Sequence, residues 1–173
     1  NATGLRLDTW AHLLEGSTTG AEVVAYSTKF SPLLYYTNTD TNFGIVVTNP
    51  GHLDTPLTHD EYMTLYNWIA NGAPDKNGNI PFAAPSPDNR QKMYLTLQGC
   101  GLVAVIDAKS KLVMRYVPIG NTMNQSPHDV ETSSDGMYGY IPFYNGSTVQ
   151  KMDLHTDTVI NSINIGSLAT GGA

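Results

Sequence analysis

The sequence predicts a mixed fold: a small α-helical domain over residues 1–82, followed over residues 83–173 by antiparallel all-β propeller blades that form an incomplete propeller. Three observations carry this expectation. Apolar residues of the first half recur at helical spacing. Those of the second half recur at a spacing of two. The second half also repeats itself at an offset of 46 residues.

The first half contributes two amphipathic helices. Leu7, Trp10, Ala11 and Leu14 fall on one helical face, with Asp8 or Thr9 placed to cap it and Gly16 to stop it. GAEVVAYS and SPLLYYT follow as short apolar pieces, and then the turn-rich TNTDTNFGIVVTNPGHLDTP. The clearest helix comes next, in LTHDEYMTLYNWIANGAP. Thr58 with Glu61 three residues on makes a capping box, and Leu57 with Tyr62 a hydrophobic staple. Tyr62, Leu65, Tyr66 and Ile69 form the buried stripe, widened by Met63 and Trp68. Asn71-Gly72 supplies a left-handed stop, Pro74 forbids continuation, and DKNGN is a surface turn.

In the second half MYLTLQ, LVAVIDA, LVMRYVPIG, MYGYIPF, TVQKMDL and TVINSINIG read as short strands separated by turns. Tyr94 and Tyr140, Asp107 and Asp153, and Ile119 and Ile165 each stand 46 residues apart, with no gap between these points. Strand-only repeats of this length are blade-like, and a ring needs about four to eight of them. Two blades leave apolar faces bare, so the remaining blades are expected from the rest of a longer chain or from other chains.

Composition bounds the function. The chain has 173 residues, 40% hydrophobic and 14% charged, enough to bury a core. A formal charge of −6 lacks the basic footprint of a nucleic-acid binder. No apolar run is long enough to be a transmembrane segment. Cys100 is the one cysteine, so neither an internal disulfide nor a thiolate zinc cluster can form, and it is expected as a small buried hydrophobe. Glycosylation sequons begin at Asn1, Asn124 and Asn145. No phosphate-binding glycine loop, nucleophile elbow or zincin helix appears.

The run SPHDVETSSDGMYGYIPFYNGSTVQKMDLHTDTVINSINIG, Ser126 to Gly166, resembles the YVTN family of β-propellers, with Asp129 where that family has glycine and Ser134 where it has proline. The preceding blade keeps Ser86-Pro87-Asp88 and Val105-Ile106-Asp107. Residues 4–82, through GLRLDTWAHLLEG and LTHDEYMTLYNWIANGAP, are similar to c-type cytochrome domains that precede such propellers in bacterial secreted proteins. That resemblance implies haem c, with its Cys-x-x-Cys-His attachment run expected just upstream of Asn1. It implies a place in the periplasm or at the cell surface. It makes His52, on the loop before the helix, the candidate axial metal ligand, since histidine can replace methionine there. The competing reading of His52 is a solvent-exposed loop histidine. Met63 is a rival ligand or a core residue. Trp10, Leu14 and Trp68 would pack round the macrocycle or simply form the core.

The remaining polar residues have plainer readings. His128 occupies a position near the channel mouth in YVTN-like propellers, yet Phe82 stands one repeat earlier, so a structural or hydrogen-bonding role is expected. Asp107 and Asp153 precede turns and are expected to cap them. His12, His59 and His155 are expected partly or wholly exposed. The implied function is electron transfer between the haem and a redox partner protein. Two alternatives stand: a haem-free propeller scaffold, and a redox enzyme with a metal in the propeller channel.

Overall fold

In a computed structural model the described residues are 4–44, 57–83, 89–120 and 126–166. They fall into two compact units, one of Asn1–Ala83 with Leu112–Arg115, the other of Ala84–Lys111 with Tyr116–Ala173. Among the described residues no helix is long and apolar enough to cross a membrane.

The first unit holds helices α1 (Trp10–Leu14), α2 (Pro32–Thr37) and α3 (His59–Ala70). The Thr9 hydroxyl caps α1 by accepting from the His12 amide. The sequence pattern placed Leu7 and Ala11 on the buried face of this helix, but the helix starts only at Trp10. Leu7 lies before it and is 68% exposed, and Ala11 faces solvent too. A five-residue helix is too short for its periodicity to define a face. Gly16 ends the segment at φ +73, and a Cβ there would collide with the Gly20 carbonyl.

α2 is anchored by Ser31, whose hydroxyl accepts from the Val24 amide at 2.9 Å and donates to the Ser27 carbonyl at 2.8 Å. These bonds satisfy a buried hydroxyl and tie the start of α2 to the preceding turn. α3 forms as its sequence dictates. The Glu61 amide donates to the Thr58 hydroxyl, while the Thr58 amide donates to Glu61 at 2.8 Å. Tyr62 and Ile69 are buried with Val23, Leu34 and Ala73, and Leu57, Met63, Leu65, Tyr66 and Trp68 pack against that cluster. Gly72 stops the helix at φ +96. Asp75 closes the DKNGN turn by accepting from the Asn77 and Asn79 amides, both at 2.8 Å.

Two antiparallel sheets make up most of the second unit, and one strand of the first sheet, Val113–Pro118, begins within Leu112–Arg115 of the first unit. The first runs β1 (Lys92–Leu97), β2 (Leu102–Asp107), β3 (Val113–Pro118). The second runs β4 (Glu131–Thr132), β5 (Tyr138–Pro142), β6 (Thr148–Asp153), β7 (Thr158–Asn164). Both are antiparallel sheets with sequential strands paired, consistent with partial propeller blades. Each of the six strand-like runs in the sequence becomes a strand, and the two-residue β4 is the addition. The 46-residue offset is preserved in the pairing. Tyr94 faces Val105 across β1–β2, and Tyr140 faces Lys151 across β5–β6. Lys111 and Asp157, at equivalent places, both adopt positive φ.

The expected turn caps are present. The Ser110 amide donates to Asp107 at 2.7 Å, and the His155 amide to Asp153 at 2.8 Å. Cys100 departs from expectation: it is exposed. It ends a 3-10 turn, Gln98–Cys100, at the tip of the β1–β2 hairpin. Next to it Gly101 takes φ +63 to reverse the chain. A hairpin tip projects away from the sheet core, whatever the side chain.

Candidate functional site

The first unit contains a cavity of about 440 Å³ between α2, α3 and the 3-10 turn Thr41–Phe43. Tyr62 and Tyr66 come from one face of α3, Leu34 and Tyr35 from α2, and Phe43 closes the aromatic wall. Helical spacing puts Tyr62 and Tyr66 one turn apart on one face, with their ring centroids 6.4 Å apart. The Phe43 ring lies 5.7 Å from Tyr62 and 5.4 Å from Tyr66. These are tilted aromatic contacts within the favourable range. Lys29, Asn38 and Asn42 add polar groups to the lining.

Local hydrogen bonds hold this wall in place. Asp40 caps the 3-10 turn Thr41–Phe43 by accepting from the Asn42 amide at 2.8 Å, which fixes Phe43. The Thr28 hydroxyl donates to the Tyr66 hydroxyl oxygen at 3.4 Å. Burial first, then Tyr66 and Asp40, hold the Tyr62 phenol above its ordinary value of 10.0. It therefore stays neutral, as an apolar wall requires.

Trp10, Leu14, Met63 and Trp68, singled out from sequence, sit elsewhere. His52 lies outside the described residues. The Trp10 indole N–H donates to the Ala73 carbonyl, and the Trp68 indole N–H to the Pro74 carbonyl, each at 2.9 Å. Both tryptophans thus secure the chain that leaves α3. Leu14, Met63 and Trp68 pack against the core cluster around Tyr62 and Ile69. None of Trp10, Leu14, Met63 and Trp68 lines the aromatic cavity. Tyr35 and Phe43 went unnoticed in the sequence because α2 and the 3-10 turn carry no periodic signal that joins them to α3.

In the second unit His128 has a hydrogen-bonding place. Its backbone N–H donates to the Pro142 carbonyl at 3.0 Å, its carbonyl accepts from the Thr96 hydroxyl at 3.1 Å, and its Nδ1 lies 3.0 Å from Gln98 Nε2. Among the described residues no group of three or more His, Cys, Asp or Glu could hold a metal ion.

No protein-family model matches the chain, and no curated protein matches it. Among solved structures it is similar to the Kuenenia stuttgartiensis hydrazine synthase, with 22% identity over 47% of this chain and a TM-score of 0.40. It is also similar to the dihydro-heme d1 dehydrogenase NirN in complex with DHE, with 14% identity over 91% of this chain and a TM-score of 0.40. The chain spans 22% of the length of the first and 36% of the second.

Proposed function

We propose that this chain belongs to an extracytoplasmic electron-transfer protein, in which the first unit seats a haem c and the blade-like sheets form a docking or redox module. The observation that carries this reading is the aromatic cavity between α2 and α3. Its volume falls within the roughly 300–1,000 Å³ of small-molecule and cofactor sites, and its lining mixes apolar walls with a few polar groups. Leu34, Tyr35, Phe43, Tyr62 and Tyr66 supply apolar and aromatic lining against which a flat macrocycle would pack. Lys29, Asn38 and Asn42 offer donors of the kind that carboxylate substituents need.

His52, the proposed axial ligand, stands eight residues after Gly44 in sequence. A haem in the cavity would supply one-electron chemistry at its iron. The residues of this chain would bind the ring, exclude water through the aromatic wall, and hold the phenol of Tyr62 neutral beside it. No pair of cysteines is present among these 173 residues, and Cys100 lies in the other unit. Two thioether bonds therefore cannot come from these residues alone.

The test is the visible spectrum of the full-length protein purified from its own host, together with a Tyr66→Ala variant. A Soret band with paired haem c bands is expected, with the variant altering its position or intensity. A colourless protein would overturn the reading in favour of a haem-free scaffold, whose sheets present a recognition surface.

A further inference from the structure

Glu22 is a buried acid for which the described residues supply no cation. Only 6% of it is exposed, and the core residues Val23 and Val24 follow it directly. Its backbone carbonyl accepts from the Leu33 amide at 3.0 Å, which ties it to α2. Its side chain turns back to the preceding turn, where Ser17 and Gly20 exchange backbone bonds of 2.8 and 3.1 Å. There Oε1 accepts from the Ser17 hydroxyl at 2.5 Å and from the Thr19 hydroxyl at 3.3 Å. Among the described residues no Lys, Arg or His forms an ion pair with it, and Oε2 accepts no hydrogen bond. A carboxylate withdrawn from water must find a cation or take up a proton.

The surrounding oxygens decide between the two. The Ser17 and Thr19 hydroxyl oxygens also lie 2.7 Å apart. Oxygens of three side chains thus form a triangle with sides of 2.5, 2.7 and 3.3 Å. A calcium ion held at about 2.3–2.6 Å from each ligand sets neighbouring oxygens roughly 3 Å apart. The triangle closes round such an ion with small shifts, once the hydroxyl protons turn outward and leave lone pairs facing in. Glu22 Oε2 is a fourth ligand. Ser17 is half-buried and Thr19 exposed, so the open side admits the ion and the waters that complete its shell. An all-oxygen set disfavours zinc, which selects nitrogen and sulfur. Its irregular sides disfavour magnesium, which demands a near-ideal octahedron.

We infer that Glu22, Ser17 and Thr19 form a calcium site that pins the Ser17–Gly20 turn to the core of the first unit. One carboxylate with neutral hydroxyls belongs among the weak sites, with a Kd of about 10⁻⁴–10⁻³ M. The acid of the DKNGN turn is no rival. The Asp75 carboxylate already accepts from the Asn77 and Asn79 amides and from the Asn79 side chain. None of Ser17, Thr19 and Glu22 lines the aromatic cavity, so the inference holds whether or not the first unit carries a haem.

The test is thermal unfolding of the full chain followed by tryptophan fluorescence, since Trp10 and Trp68 both belong to the first unit. After chelation, calcium chloride at about 10 mM is expected to raise the midpoint by about 5 °C. Magnesium at the same concentration should raise it by less than half as much. Glu22→Gln keeps the side chain's size and one acceptor oxygen but removes the charge. It should abolish the calcium response without lowering the midpoint in chelator, while Asp75→Asn should leave the response intact. Calorimetric titration of Thr19→Ala, a change at an exposed position, should show calcium affinity reduced about tenfold. A midpoint that calcium does not move would overturn the inference and give Glu22 a proton instead. So would a calcium response that survives in Glu22→Gln or is lost in Asp75→Asn, or an unchanged affinity in Thr19→Ala. An equal rise with magnesium would also overturn it, as an effect of ionic strength.

Discussion

Lys92 Nζ stands 3.0 Å from each carboxylate oxygen of Asp157, 65 residues further along the chain, in an ion pair whose side chains are 4% and 0% exposed. The Leu154 carbonyl accepts a further bond from the same ammonium. The pair joins the start of β1 to the turn between β6 and β7 and so fixes how one sheet lies on the next. A buried pair adds little over an apolar substitute, but removing one partner strands a charge.

Lys92→Met should therefore destabilise the chain by about 3–5 kcal/mol. The double variant Lys92→Met with Asp157→Asn should recover more than half of that loss. The amide is neutral, still accepts from Tyr94, and tolerates a positive φ. Urea unfolding of the single and double variants checks the relation. Equal stability of the two would mean that the buried carboxylate is not the source of the loss.

Thr58→Ala removes the acceptor of the Glu61 amide at the start of α3. The expected cost is about 1 kcal/mol, read as a lower denaturation midpoint for the first unit. Thr58→Ser keeps the hydroxyl and should keep the stability.

Gly16→Ala should destabilise more than Gly78→Ala, although both positions have positive φ. At Gly78 a Cβ meets open space and the cost is conformational, of order 1–3 kcal/mol. At Gly16 the same atom meets the Gly20 backbone, which cannot turn aside as a side chain could. Thermal unfolding of the two variants side by side gives the comparison.

Acid should weaken the turns of the sheet unit. At Asp107 burial acts to raise the pKa, but the hydrogen bonds from Ser110 and the nearby Arg90 and Lys109 charges outweigh it and hold the group below 3.8. At Asp153 burial is likewise outweighed by the Thr156 and His155 amides. Both folded values lie below the unfolded one, so the folded state favours the carboxylate. Their stabilisation is fully present above the unfolded value and is lost as pH falls through the lowered folded values. Stability measured between pH 7 and pH 2 should thus decline below about pH 4, and Asp107→Asn with Asp153→Asn should flatten the decline. An unchanged slope in that variant would place the acid sensitivity elsewhere.

Much of the local structure was legible in the sequence, for a reason specific to each element. The Thr58–Glu61 box, the Tyr62–Ile69 stripe and the Gly72 stop specify α3 within a dozen residues. The alternation in TVQKMDL specifies a strand because Gln150, Met152 and Leu154 are buried on one face. In MYLTLQ the same period marks a strand whose Met93 and Leu95 stay exposed. Short elements escaped: five residues of α1 do not sample the helical period enough to place Leu7. Cys100 escaped because burial of a small hydrophobe depends on whether its segment is strand or hairpin tip.

By itself the sequence determined α3, the six longer strands, the 46-residue repeat and the aspartates that cap its turns, while α2 and β4 were not read from it. The tertiary structure alone decided the aromatic cavity and the Lys92–Asp157 latch. Phe43 and Tyr66 meet through contacts that no periodicity encodes. The latch does not follow the repeat either, since Tyr138 stands in the place of Lys92 and Lys111 in that of Asp157. Backbone geometry recurs because the sheets must twist and turn alike. The side chains that join one sheet to the next need only be complementary, and complementarity is a property of the packed pair.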